Sequence, residues 1–243
     1  MASIFDVISD DFLSDLQAIS DLVIIVENGG GSSKSRIASI NSATLLLAAT
    51  FEEFIREMGR QYAREFVQLT PDPRSLPRKL SATAWKRTLE ELARAKVDTG
   101  GTPVPLAHIA ASARSSFDAV CKFLEGDFSQ DIYGTLVHNE NNMRPQQINA
   151  VFSISNLSDI CGKISDHALM KTHFGEEESG KAHGKLVVSL NDFMEKRNAI
   201  THALNPGASV SAGDFMHDVE LMKAIALSLA ACLPAQLPVN DVG

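Results

Sequence analysis

One arginine and one histidine, five residues apart, are the residues of this chain whose types best suit chemistry on a phosphate. Arg197 stays charged and presents a planar fork of N–H donors that matches phosphate, while His202 can exchange a proton near neutral pH. Asn198 stands four residues before His202, so these two share one helical face. The set indicates phosphodiester chemistry. The alternative for Arg197 is structural, with its stem on apolar surface and its guanidinium in water.

The residues around this pair predict the helix that positions them. Apolar side chains recur at steps of three and four, which is the spacing of one helical face. They are Leu186, Leu190, Phe193, Ile200 and Leu204. Arg197 falls in the same row, so a regular helix points it towards the core. The sequence Asn205-Pro206-Gly207 is then predicted to end the helix, because the residue before proline avoids helical angles.

A straight helix cannot aim Arg197 and His202 at the same phosphate. At about 100° per residue, the two side chains lie roughly 140° apart around the axis. Two solutions remain: either the helix unwinds between Ala199 and Thr201, or a second subunit completes the site.

The pattern of Arg197, Asn198 and His202 near the end of an amphipathic helix resembles the signature of HEPN domains, an arginine and a histidine separated by four to six residues. Two further segments resemble bacterial HEPN proteins of the RiboL-PSP type. They are Thr50-Phe51-Glu52-Glu53-Phe54 and Asn141-Asn142-Met143-Arg144-Pro145, the latter followed by Ile148-Asn149-Ala150-Val151-Phe152. The similarity covers roughly residues 36 to 233 as an order of elements.

This resemblance implies metal-independent cleavage of RNA, in which the ribose 2′-hydroxyl attacks its own phosphate and leaves a 2′,3′-cyclic phosphate. It gives His202 the role of general base or acid, Arg197 that of stabilising the phosphate charge, and Asn198 that of orienting the histidine or the phosphate. Glu52 and Thr201 are supporting candidates. Glu52 would brace a buried Arg197; the alternative for Glu52 is an ordinary surface glutamate.

The expected partners are an RNA substrate and a second copy of the chain, in a homodimer with a composite active site. Arg144, held extended before Pro145, is a candidate RNA-phosphate contact. The resemblance also suggests phage defence or a toxin held by an antitoxin or regulatory protein. No cofactor is expected, and no metal site, because the chain has no H-E-x-x-H or C-x-x-C spacing. The competing function is a catalytically inert helical interaction or regulatory module.

Composition favours an all-α protein, a HEPN-like helical bundle with additional helices. The chain has 243 residues, of which 44% are hydrophobic and 6% aromatic, and its helix-forming residues fill long stretches. We expect a single domain over residues 1–243, with an N-terminal helix and Gly/Ser-rich connector (1–35), a core bundle (36–233) and a tail (234–243). The predicted helices span residues 4–27, 36–69, 79–96, 106–125 and about 213–233, besides the motif helix. Residues 126–145 are predicted to form an ordered loop, residues 146–171 short helices broken near Ser155 and Gly162, and residues 173–184 an exposed loop.

The charge distribution argues against a protein that grips nucleic acid by bulk electrostatics, since the net charge is -8. Residues 1–33 carry six acids and no Lys or Arg, whereas residues 56–96 carry ten Lys or Arg and five acids. The second segment is compatible with a basic face, but ordinary solvated helix charges explain it at least as well, because charges four residues apart are common on exposed helices. No apolar run reaches the roughly 18 residues of a membrane span, and three scattered cysteines fit a reducing compartment. The cytoplasm is the expected location.

Overall fold

The computed structural model describes residues 2–70, 72–94, 106–137, 142–202 and 210–238. These residues contain ten α-helices, two short 3-10 segments (Pro73–Ser75 and Leu233–Gln236) and no strand. The all-α prediction is therefore confirmed. The helices are α1 (Ile4–Asn28), α2 (Ser33–Gln68), α3 (Arg78–Arg94), α4 (Leu106–Leu124), α5 (Tyr133–Leu136), α6 (Pro145–Ser153), α7 (Ile160–Asp166), α8 (Ala168–Phe174), α9 (Ser179–His202) and α10 (Ala212–Cys232).

Two long helices, α1 and α2, form a hairpin at the N-terminal end of the chain. α1 starts at a capping box in which Ser3 and Asp6 bond each other's backbone N–H groups. α2 starts earlier than predicted, because the Ser32 hydroxyl accepts a hydrogen bond from the backbone N–H of Ser35 and caps the helix. The connector that was predicted to reach residue 35 is therefore shorter, and Lys34 is helical.

α2 is the central helix of the bundle. Its apolar stripe is fully buried at Leu47, Phe51, Ile55 and Met58. It packs against α1, α5, α6, α9 and α10. This arrangement confirms the prediction of a core helix, which rested on apolar residues recurring at steps of three and four. One continuous set of buried residues runs from α1 to the end of α10.

Two predicted breaks are wrong. Gly162 does not interrupt a helix but lies in the first turn of α7, where its N–H bonds the capping carboxylate of Asp159. A Cβ at Gly162 would meet Asp159 Oδ2 at 2.2 Å, so the glycine accommodates the cap. The predicted loop from His173 to Gly184 is also mostly helical, because α8 runs to Phe174 and α9 begins at Ser179. Packing of α9 on α7 and α8 outweighs the low helix propensity of its two glycines.

Some predictions fall on residues outside the described ranges. These are Leu204 and the predicted helix end at residues 205–207, the break at residues 99–103, and Asn141. Among the cysteines, Cys161 is buried and Cys121 and Cys232 are half-buried, all three with free thiols. In the described part of the chain, no helix combines the length and the hydropathy that crossing a membrane requires.

Candidate functional site

The helix that carries the candidate residues does not unwind. α9 runs without a break to His202, and the hydroxyl of Thr201 donates to the carbonyl oxygen of Arg197 at 2.9 Å, across one helical turn. The first of the two solutions, an unwound segment between Ala199 and Thr201, is therefore wrong. The Arg197 and His202 side chains leave the helix roughly 140° apart.

Arg197 is held by two side-chain amides. Its Nη1 donates to Asn142 Oδ1 at 3.3 Å and to Asn198 Oδ1 at 3.1 Å. Among the described residues, no carboxylate pairs with Arg197. Neutral amide oxygens fix the direction of a guanidinium without neutralising it, so Arg197 is an oriented cation whose charge remains available to an anion.

The burial of Arg197 is intermediate, which differs from the prediction that it faces the core. The apolar row is fully buried at Leu186, Leu190 and Phe193 but only half-buried at Ile200. Arg197 therefore lies where the apolar row gives way to solvent. Its stem can pack against the apolar row while its charged end reaches solvent.

Glu52 is buried, with 5% of its surface exposed, so the surface alternative is wrong for this residue. Its Oε1 accepts a hydrogen bond from the backbone N–H of Asn142 at 2.8 Å. No ion pair joins Glu52 to Arg197 within the described ranges; the connection passes through Asn142 instead. Asn142 adopts a left-handed backbone with φ 56°, which asparagine tolerates better than most residues. The chain Glu52–Asn142–Arg197 therefore links α2 to α9.

Arg144 has the predicted extended backbone before Pro145, which begins α6. Its guanidinium is nevertheless occupied: Nη2 lies 2.6 Å from Glu195 Oε1, and Nη1 donates to Asn191 Oδ1 at 3.2 Å. This charge is already compensated. Arg144 is thus a weaker candidate for phosphate contact than Arg197.

A polar stripe follows one face of α9. Its members, at steps of four and three, are Asn191, Glu195, Asn198 and His202. Arg144 lies against the upstream end of this polar stripe. His202 ends it as an exposed residue, as is Thr201 beside it. Asn198 connects Arg197 to the polar stripe. Its side-chain oxygen accepts a hydrogen bond from Arg197, and it lies one helical turn before His202 on the same face.

An ion pair between α9 and α10 fixes the rotation of α9 about its own axis. Lys196 Nζ lies 2.9 Å and 3.0 Å from the two carboxylate oxygens of Asp218. Burial raises the pKa of Asp218 above its ordinary value, and Lys196 acts in the opposite direction. Neither this pair nor the role of Asn142 follows from local sequence, since the contacts span 22 and 55 residues. The two consecutive asparagines before Met143 and Arg144 are the only local signal.

Within the described residues, no group of three or more His, Cys, Asp or Glu side chains is arranged to hold a metal ion. The positive charge at the candidate site comes from Arg197. Any anion bound there would meet a guanidinium and amide groups.

No curated protein and no solved structure matches the chain. One family model does match it, and the match runs over residues 10–233, nearly the whole sequence. Helices α2 to α10, most of α1 and the Arg197–Asn198–His202 pattern lie within that range. The chain belongs to the RiboL-PSP-HEPN family.

Proposed function

We propose that this protein is a metal-independent endoribonuclease of the HEPN type. Membership of the family supports an RNA-related, nuclease-like domain in general terms. The observation that carries the finer proposal is the guanidinium of Arg197, which is oriented by two amides and has no carboxylate partner in the described part of the chain. A negatively charged phosphate oxygen can pair with the guanidinium charge that the described residues leave uncompensated.

The proposed reaction is an internal transesterification. The ribose O2′ forms a bond to the adjacent phosphorus while the bond from phosphorus to the 5′-oxygen of the next nucleotide breaks. A base takes the 2′-hydroxyl proton and an acid delivers a proton to the leaving 5′-oxygen, which gives a 2′,3′-cyclic phosphate and a 5′-hydroxyl. His202 performs one of these transfers, a role typically worth about two to four powers of ten in rate. Arg197 stabilises the charge that grows on the phosphate oxygens.

The proposed active site is composite, with Arg197 from one subunit and His202 from the other. Support comes from the unbroken α9, which directs the two side chains roughly 140° apart. A twofold dimer brings two copies of the same surface together, so each cleft would receive one guanidinium and one imidazole from different chains.

The activity test uses end-labelled RNA in the presence of a chelator. We expect the wild-type chain to cleave it and leave 2′,3′-cyclic phosphate ends. Arg197→Ala and His202→Ala are expected to reduce the rate by about a hundred-fold or more. Arg74→Ala, which changes an exposed arginine in the 3-10 segment between α2 and α3, serves as the matched control. Unchanged cleavage in both site variants would refute the assignment.

A mixing experiment tests the composite site. Arg197→Ala and His202→Ala chains are each nearly inactive, but a mixed dimer contains one cleft with an intact Arg197 and an intact His202. Random pairing makes half of the dimers mixed, with one working cleft in two, so about a quarter of wild-type activity should return. No recovery after subunit exchange would show that each chain holds its own complete site.

The second candidate function, an inert interaction or regulatory module, is favoured by the net charge of -8 and by the pairing of Arg144 with Glu195. It predicts no cleavage of any RNA by the folded wild-type chain.

For the nuclease, we propose a role in phage defence or as a toxin that an antitoxin or regulatory protein restrains. Induction of the wild type should then arrest growth, whereas induction of His202→Ala should not.

A further inference from the structure

A groove of about 700 Å³ lies between the first half of α1 and the middle of α2. Its floor is the pair of stacked rings of Phe12 and Phe54, whose centroids are 4.2 Å apart. Ile4 and Val7 border the groove with 40% and 47% of their surface exposed. Exposed apolar side chains next to an aromatic floor offer a binding surface that no described part of the chain covers.

The charged residues of the groove all carry negative charge. Asp11 and Asp15 line it from α1, Glu53 and Glu57 line it from α2, and no Lys or Arg lines it. Glu53 and Glu57 are held by Arg60 at 2.8 Å. Asp11 and Asp15 have no ion-pair partner among the described residues. Two carboxylates beside an apolar floor therefore remain available to a cation.

We propose that this groove is the docking site for a cationic amphipathic helix of a partner protein. A third helix laid between two packed helices can insert one apolar face along the floor. Lys or Arg residues flanking that face would reach Asp11 and Asp15. A nucleic acid or an anionic lipid surface would instead meet four carboxylates, and is disfavoured by charge.

A second copy of the chain is disfavoured for the same reason when it presents the same surface. Residues 1–33 carry six acids and no Lys or Arg, so a twofold contact through α1 would place acid against acid. The groove is also separate from the candidate catalytic cluster, because Glu52 points to Asn142 while its neighbour Glu53 lines the groove. The docking site can therefore be tested without reference to RNA cleavage.

The probe is a fluorescently labelled synthetic peptide of about 18 residues, with leucines on one helical face and lysines flanking it. Fluorescence anisotropy is measured with the full chain at low and high salt. We expect saturable binding that weakens at least ten-fold in the Asp11→Asn, Asp15→Asn double variant and in Val7→Ser. Asp21→Asn on the same helix and Val188→Ser, which removes an exposed valine of α9, are the matched controls and should change the affinity less than two-fold.

Three outcomes would overturn the proposal. The first is equal binding of a peptide with the same composition but a scrambled apolar face, which would mean charge attraction alone. The second is unchanged affinity of the groove variants for the peptide. The third is a sedimentation result in which Val7→Ser or the double aspartate variant dissociates a dimer of the chain, because that result would assign the groove to a second copy. Circular dichroism spectra that match the wild type establish that the variants are folded.

Discussion

Asn142 is the residue through which the buried carboxylate of Glu52 acts on Arg197. Its backbone N–H donates to Glu52 and its side-chain oxygen accepts from Arg197. Each contact fixes a different part of the residue, the first its backbone and the second its carboxamide. Asn142 is therefore a positioning residue under the proposed function, and the two contacts can be separated by substitution.

Asn142→Gly is expected to reduce RNA cleavage by about ten-fold or more while leaving the free energy of unfolding nearly unchanged. Glycine accepts the left-handed backbone at φ 56° but offers no oxygen to Arg197. Asn142→Ala should also lower the free energy of unfolding by about 1–2 kcal/mol, because alanine is strained in this conformation. Urea unfolding and single-turnover cleavage measure the two effects. Full activity in Asn142→Gly would contradict the positioning role.

The contrast between Arg197 and Asn142 shows what local sequence can predict about the site. Arg197, Asn198 and His202 stand within one helix, so their types and spacing suffice to single them out. The burial of Glu52 and the role of Asn142 depend on contacts across 90 and 55 residues of sequence. Base rates for glutamate favoured the surface, and only the packing of α2 against the segment before α6 reverses this.

At the scale of helices, α2 and α6 approach closely at Gly59. A Cβ at this buried position would meet Val151 Cγ1 at 2.3 Å. Gly59 is thus a packing residue in the middle of the central helix, where alanine would otherwise be the better helix former. The close approach explains a glycine that the helical pattern alone does not.

Gly59→Ala is expected to lower the free energy of unfolding by about 1–3 kcal/mol, through overpacking against α6. Gly184→Ala is the matched control, because Gly184 lies in α9 with nothing near its added Cβ. That substitution should raise stability by up to about 1 kcal/mol. Urea denaturation of both variants measures the difference. A higher free energy of unfolding in Gly59→Ala would show that α6 can move away from α2 without loss of stability.

The contact of α8 with α10 is expected to make stability depend on pH. The ring of His173 stacks 6.0 Å from that of His217, and its Nε2 is buried without a hydrogen-bond partner in the described structure. Burial and the neighbouring His217 lower the pKa of His173 below its ordinary value of 6.5, against an opposing effect of Glu220. The unfolded chain therefore binds the proton more readily than the folded chain.

The contribution of His173 to stability should be complete above its unfolded pKa of 6.5 and decline as the pH falls through the lower folded pKa. The free energy of unfolding, measured by urea titration at a series of pH values, is expected to decrease on acidification. His173→Phe removes the titrating group and should flatten this dependence. An equally steep loss of stability in the variant would assign the effect to other groups.

At the scale of the whole molecule, the helical class and the family could be predicted from the sequence, because both rest on periodicity and on short motifs in order. The assembly could not be predicted. The angle between Arg197 and His202 leaves two solutions open, and the unbroken α9 excludes one of them without showing how a partner docks. The net charge of -8 argues, at this scale, against a protein that holds RNA through many phosphate contacts.

RNA binding should therefore depend only moderately on salt. With Arg197 and Arg144 from each of two subunits, at most about four phosphates are neutralised, and the logarithm of the binding constant should fall with that of salt concentration at a slope no steeper than about −3. Filter binding of uncleaved RNA to His202→Ala measures the slope. A slope near −7, typical of extended basic surfaces that contact about ten phosphates of a single strand, would contradict this small footprint.

The unbroken course of α9 to its last residue has a consequence for dosage under the proposed function. A catalyst that exists only when two identical chains meet works at a rate per chain that rises with abundance until pairing saturates. Expression level then becomes a control in its own right. A cell could carry a few idle copies safely and reach the active regime by accumulation alone, without any change in the chain itself.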